Sequence, residues 1–449
     1  MRLQKSLGSW YLFAMATAAV IGPWLVMMQW WISLTGASIA LSFLVVGLMC
    51  IPIGLVYGEM TAMLPFVGGP FVFIQNAFGK EASFWTSWAL LLSYTTVLSF
   101  QLMALMWIVE YLWWPGMPLT SMMIIAAILA VGFAIMNSRE LIISATAQFL
   151  MFLVLVVIAV TIVVLFVSHP TFDTANWSPF FQTGRDGFFT ATALMVTMFF
   201  GFEIIPQFAE ESKYPTEKHW RLIVGSIIFC IAFYGGLCIV NAAMLPFDTI
   251  VNETPMVSAT IAGALYGTWA QYAIALANFC ALATCLNGFW LAGSRLLYSM
   301  GRSRILPRQF GSLNKHHVPS TANWSILAVT LFFIAISGTQ WLEYLFTLMA
   351  IGVGITYTIS SLSFLQMRRI FPKWRRPWKV PGGSATGVLA TGCGLVMVYY
   401  TFKYFDNTLW YMFIVYFAIG FVVWLFLRWE RSRYADQYVI DVPIGVVED

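Results

Sequence analysis

Apolar residues run along this chain in long blocks parted by short polar ones, and the block length suits a helix crossing about 30 Å of hydrocarbon, ~20 residues. About twelve blocks are predicted to span, at 10–33, 38–63, 84–112, 119–137, 141–167, 187–208, 222–245, 268–300, 322–338, 341–367, 385–403 and 408–427. The longer polar stretches fall at 65–83, 168–186, 246–267, 301–321 and 368–384, and none is polar enough to form a soluble domain. A single transmembrane domain over 1–433 follows. The acidic, aperiodic tail at 434–449 reads either as a flexible cytoplasmic end or as a regulatory contact.

Two blocks are interrupted, the first by Gly22-Pro23 and the sixth by Gly201 with Pro206. Ser9 is the expected N-cap of the first span and Asp186 of the sixth, which puts both breaks near the bilayer midplane. In hydrocarbon a broken helix survives only where protein or a water-filled cavity covers the freed backbone groups. The break exposes N–H groups on one side and carbonyls on the other, suited to the anionic and cationic ends of one ligand. A single break reads as a kink filled by neighbouring helices. A matched pair points to a transport site.

Composition excludes a soluble protein: 60% of residues are hydrophobic, 9% are charged, and the mean hydropathy is +0.81. Of the 23 Lys and Arg, all but Arg185, Lys403 and the intramembrane Arg295 fall on one side of the expected topology. Lys and Arg resist translocation, so both termini are expected in the cytoplasm, with an even number of spans in a cell or inner membrane. The first block is too long for a signal peptide and lacks a small-residue cleavage pattern, so it reads as an uncleaved span. Asn176-Trp177-Ser178 and Asn252-Glu253-Thr254 match the sugar-acceptor pattern, which short sequences also meet by chance.

The six cysteines lie in predicted spans without CxxC spacing and read as small apolar side chains. His169, His219, His316 and His317 fall in loops or at helix ends and form no ligand set with carboxylates or cysteines. There is no glycine-rich phosphate loop. Neither an enzyme, nor a metal or other cofactor, nor nucleic-acid binding is therefore expected.

Four separated motifs carry a resemblance. Tyr57-Gly58-Glu59-Met60 is followed by Pro65-Phe66-Val67-Gly68-Gly69-Pro70-Phe71. Phe200-Gly201-Phe202-Glu203 is followed by Glu210-Glu211-Ser212-Lys213-Tyr214-Pro215. Ser294-Arg295-Leu296-Leu297-Tyr298 leads to Gly301-Arg302 and Leu306-Pro307, and Arg376-Pro377-Trp378-Lys379-Val380-Pro381-Gly382 closes the set. In order and spacing, over roughly residues 8 to 385, the chain resembles the amino acid/polyamine/organocation (APC) transporter family.

The resemblance implies an all-α polytopic protein of 12 transmembrane helices with the leucine-transporter-like 5+5 inverted repeat. Repeat one would cover 8–167 and repeat two 186–367, with helices 1 and 6 discontinuous and helices 11 and 12 added at 385–427. It implies transport of an amino acid, amine or related organic cation by alternating access. A transporter-like sensor without flux is the rival function. The partners are a small-molecule substrate and the lipid bilayer, with a homodimer left open as an assembly.

One motif departs from the family. Amino-acid-carrying relatives have a small Gly-Ser-Gly or Gly-Thr-Gly turn at the first break, whereas this chain has Ile21-Gly22-Pro23-Trp24. Pro23 removes an N–H and brings no hydroxyl, and Trp24 adds a large ring. A substrate carboxylate thereby loses a partner, at ~1–3 kcal/mol if the group stays unpaired. Phe289 falls where the resemblance puts a substrate-stacking aromatic. With Tyr94, Phe199, Phe200 and Phe202 it suggests an aromatic wall for an ammonium, at about 0.5–2 kcal/mol per contact. An organic cation, or a zwitterion with a bulky or non-standard end, is thus the first expectation and a neutral amino acid the second.

Glu203 is the deepest acidic residue, and its readings as cation partner, proton carrier, gate or structural acceptor stay open. Glu59 and Glu110 read as helix-end or gate residues. Some proton-driven relatives carry a lysine in span five, where this chain has Leu155. Thr284 in span eight is the candidate oxygen ligand for a sodium ion, although Ala283 and Cys285 flank it. Exchange or facilitated movement comes first, and proton coupling through Glu203 second.

Overall fold

The computed structural model describes residues 3–336 and 341–433. Arg2, the last two residues of the ninth predicted span and the tail at 434–449 lie outside the described residues. The helices are α1 (Ser9–Val20), α2 (Trp24–Thr35), α3 (Ile39–Met63), α4 (Pro70–Leu112), α5 (Leu119–Met136), α6 (Leu141–Val167), α7 (Gly184–Met195) and α8 (Ile204–Gln207). They continue with α9 (His219–Met244), α10 (Phe247–Glu253), α11 (Val257–Tyr266), α12 (Thr268–Arg302), α13 (Ser320–Ile336), α14 (Trp341–Ile370), α15 (Ser384–Lys403) and α16 (Asn407–Arg433). Ten helical stretches among the described residues are long and apolar enough to cross a membrane. The protein is an all-helical, multi-pass membrane protein.

The apolar blocks become helices at nearly their predicted ends, because in hydrocarbon only a continuous helix satisfies every backbone group. Differences arise where polar and apolar residues mix. α4 begins at Pro70, well before the predicted 84, and Gly79 at φ 86° breaks it into a short arm and a long span. The stretch 246–267, expected as a loop, folds into α10 and α11, which pack on α2 and α12. The caps also differ. Ser9 is the first helical residue and Gly8 the N-cap, while Thr183 precedes α7 and Asp186 sits in its first turn. Gly8 has no side chain to cap with and the Thr183 hydroxyl donates to Leu34 O instead, so both helix starts rest on tertiary packing.

α4, α12 and α14 are the most enclosed of the long helices. α14 and α12 both pack on α4, while α1 lies against α12, α9 and α6. α5, α6 and α16 instead present Ile124, Ile128, Val157, Val160, Ile414 and Val422 outward. Apolar faces of this kind belong against lipid.

Candidate binding site between two interrupted helices

The first break is short. α1 ends at Val20, Ile21 closes it by donating its N–H to Thr17 O, and α2 begins at Trp24. Asn278 of α12 spans the gap, donating Nδ2 to Gly22 O (3.1 Å) and accepting from Leu25 N–H at Oδ1 (3.1 Å). Tyr234 donates its hydroxyl to Val20 O (2.6 Å), and the Cys285 thiol donates to Ala19 O (2.9 Å). The carbonyls freed by the break are thus held by protein. The N–H groups of Gly22, Trp24 and Val26 have no partner among the described residues. A Cβ on Gly22 would stand 2.7 Å from Gln101 Nε2 and 2.8 Å from Cys285 Sγ, so a larger residue there would displace both side chains.

The second break is longer. α7 tightens into a 3-10 turn over Val196–Phe199, Phe200 is extended, and Gly201 adopts φ +139° before α8. Pro206 lies inside α8, so the interruption centres on Phe200 and Gly201 and not on the proline. Glu203 accepts at Oε2 from Gly201 N–H (2.8 Å) and from the Tyr357 hydroxyl (2.8 Å), while its Oε1 has no partner. The carbonyls of Met198, Phe199 and Phe200 have no partner among the described residues. Gly201 lies directly on the end of α1, so the two breaks meet.

Between them is an occluded cavity of about 10 Å³, roughly the room one water needs. Pro23 and Phe200 from the breaks line it, as do Phe289, Val97, Phe100, Met349, Gln101 and Cys285. Phe200 stacks on Phe289 at 4.5 Å, and Tyr94 packs on both at 5.7 Å while accepting from Gln207 Nε2. Tyr94, Phe200 and Phe289 therefore pack as one aromatic cluster, of which Phe200 and Phe289 line the cavity.

The other expected residues face elsewhere. Trp24 turns its ring onto Phe233 of α9, so its bulk does not fill the gap. Phe199 packs toward Phe43 and Tyr234, and Phe202 stacks on Tyr357. Ile21 is fully buried. The Thr284 hydroxyl donates to Cys280 O and Ala281 O of its own helix, and Thr284 O accepts from Gln148 Nε2 (2.9 Å). Gln101, Gln148, Asn278 and Cys285 were not anticipated. The signal for the three amides was their presence inside apolar blocks, where uncompensated polar groups are expensive.

Three acidic residues knit one end of the bundle. Glu211 holds Arg295 through paired bonds of 2.9 and 3.0 Å in a buried setting. Glu210 holds Arg302 (2.7 Å) and the Val67 N–H (3.1 Å). Glu59 takes Arg368 (2.6 Å), Arg376 (3.3 Å) and the Val380 N–H (2.7 Å). The glycine-proline motif after α3 and the Arg376–Gly382 motif are thus parts of one closed face.

A multi-pass helical protein whose two broken helices meet around an occluded cavity belongs to the class of membrane transporters. The chain belongs to the amino acid permease family, which it matches over residues 7–434. It is similar to the branched-chain amino acid permease BcaP of Lactococcus lactis subsp. cremoris, at 25% identity over 74% of this chain and 75% of that one. The branched-chain amino acid permease BcaP of Bacillus subtilis is 23% identical, over 96% of this chain and 94% of its own. The methylthioribose transporter of Bacillus subtilis is 22% identical, over 96% and 95%. The protein is a transporter and not an enzyme.

Proposed function

We propose that the protein carries a neutral α-amino acid with an apolar side chain, by exchange or facilitated movement. The observation that carries this reading is the character of the cavity lining: no ionised side chain lines it, and Glu203 is turned into the Gly201 turn and Tyr357. A second positive charge on a substrate would be buried there without a partner, which is costly. A zwitterion fares better. Its carboxylate suits the unpartnered N–H groups of the first break and its ammonium the unpartnered carbonyls of the second. The organic cation expected from the sequence therefore gives way to an apolar zwitterion, in keeping with the two relatives named branched-chain amino acid permeases.

The helix order supports twelve spans, with α1/α2 and α7/α8 as discontinuous helices 1 and 6, repeats over 8–167 and 186–367, and α15 and α16 outside them. The basic residues support cytoplasmic termini in a cell membrane. Gln148, on the same α6 span as Leu155, supports the coupling reading. Its Nε2 and Ala19 Cβ lie within 3.2 and 3.3 Å of the same point beside Gly288, so a neutral amide fills the space between α1 and α12. An amide neither titrates nor exchanges with a cation, which favours movement without a sodium or proton gradient.

Counterflow in proteoliposomes tests both parts. Preloaded leucine is expected to drive leucine uptake without any imposed gradient, and putrescine is expected not to compete. Uptake that requires a proton or sodium gradient overturns the coupling, and competition by amines without competition by neutral amino acids overturns the cargo.

A further inference from the structure

The cavity contains one polar group that the breaks do not explain. Gln101, on α4, is 2% exposed and lines the cavity among mainly apolar side chains. Its Nε2 donates to Cys285 Sγ (3.0 Å), and the Cys285 thiol in turn donates to Ala19 O (2.9 Å). This relay fixes which way the amide faces. With the thiol hydrogen on Ala19, the sulfur can only accept, so the Gln101 NH₂ must point to it and the oxygen must point away.

Gln101 Oε1 is buried and has no partner. A buried amide oxygen left unpaired is costly, and such groups in folded proteins call for an explanation. The other polar groups of the lining are engaged: Thr197 donates its hydroxyl to Leu194 O, and Cys285 donates to Ala19. Gln101 Oε1 is therefore the side-chain polar atom of the lining that is left without any partner. Its Nε2 lies beside the first break, 2.7 Å from the Cβ position of Gly22, and Phe200 of the second break lines the same cavity, so the amide borders the space between the two breaks, where the backbone end of a bound amino acid would lie.

We propose that Gln101 is a specificity-determining residue, whose free Oε1 accepts a hydrogen bond from the substrate ammonium and so selects α-amino acids over their α-hydroxy counterparts. An ammonium has three protons to place. The carbonyls of the second break and Gln101 together supply acceptors for them, whereas a hydroxy acid leaves acceptors unmet. This inference rests on the amino acid reading above and names how that class is recognised.

The experiment compares L-leucine with L-2-hydroxy-4-methylpentanoate, as ligands in thermal shift and as competitors of uptake, for the wild type, Gln101→Met and Gln101→Glu. The wild type is expected to prefer leucine. Gln101→Met, of similar size but without the acceptor, is expected to weaken leucine by about tenfold or more and leave the hydroxy acid nearly unchanged. Gln101→Glu, which keeps an acceptor, is expected to retain the preference, and unchanged binding of the hydroxy acid by Gln101→Met shows that its loss of leucine is not loss of the fold. Equal weakening of both ligands in Gln101→Met, or no weakening of either, overturns the inference alone. A wild type that binds no amino acid overturns it together with the proposed function.

Discussion

Gly201 is seated on Val20: a Cβ on the glycine would stand 2.8 Å from both Val20 N and Val20 Cγ2. The two interrupted helices therefore touch at backbone level, and the φ of +139° adds a second reason for glycine. Gly201→Ala is expected to cut uptake by at least about tenfold, since strain and clash both fall where the breaks meet. Uptake assays normalised to the folded protein in the membrane check this. Near-normal transport would show that the breaks can part without loss.

Glu203 is tied to the turn and not to the cavity. Glu203→Gln keeps an acceptor for Gly201 and Tyr357, so substrate affinity is expected to stay within about threefold, well under the tenfold that 1.4 kcal/mol represents. Turnover is expected to fall, because the turn must rearrange as the site opens. Equilibrium binding alongside initial uptake rates separates the two quantities. A large loss of affinity with normal turnover would place the carboxylate on the substrate instead.

The ion pairs at the closed face differ in burial, and their variants should differ accordingly. Arg295→Met leaves the Glu211 carboxylate buried without its cation, and breaking such a pair costs about 3–5 kcal/mol. Arg302 and Glu210 are partly exposed, and Arg302→Met should change stability by about 1 kcal/mol or less. Detergent thermal unfolding of the two variants is expected to rank them in that order.

All six cysteines are buried, but among the described residues only Cys285 lines the cavity. A small maleimide is expected to reach Cys285 only while the site is open, and then to inactivate transport. Cys285→Ser, which can still donate to Ala19 O, is expected to transport and to resist the reagent. Inactivation that persists in that variant would assign the sensitivity to another thiol.

The membrane class, the helix positions and the two breaks were legible because hydrocarbon imposes a hard rule on backbone groups, and the rule writes itself into block lengths and glycine-proline punctuation. Phe200 and Phe289 were found by motif position. Trp24 was not, because a sequence gives the size of a ring but not the rotamer that lays it on Phe233. Pro206 looked like the breaker of the sixth span, yet proline is tolerated in the first turn of a helix and sits there in α8. Gln101, Gln148 and Asn278 act through partners on helices distant in sequence, up to 256 positions away for Asn278 and Gly22. No local pattern records such pairings.

The bridge between Leu7 and Ser212 gives the closed face a mechanical property. Ser6 and Leu7 donate their N–H groups to Glu211 O (2.9 and 3.0 Å), and Lys213 donates back to Leu7 O (2.8 Å). The foot of the first broken helix is thereby stitched to the foot of the sixth, just beyond Glu211 and its arginine. The two feet are thus joined through backbone alone, and parting them breaks all three of these hydrogen bonds together.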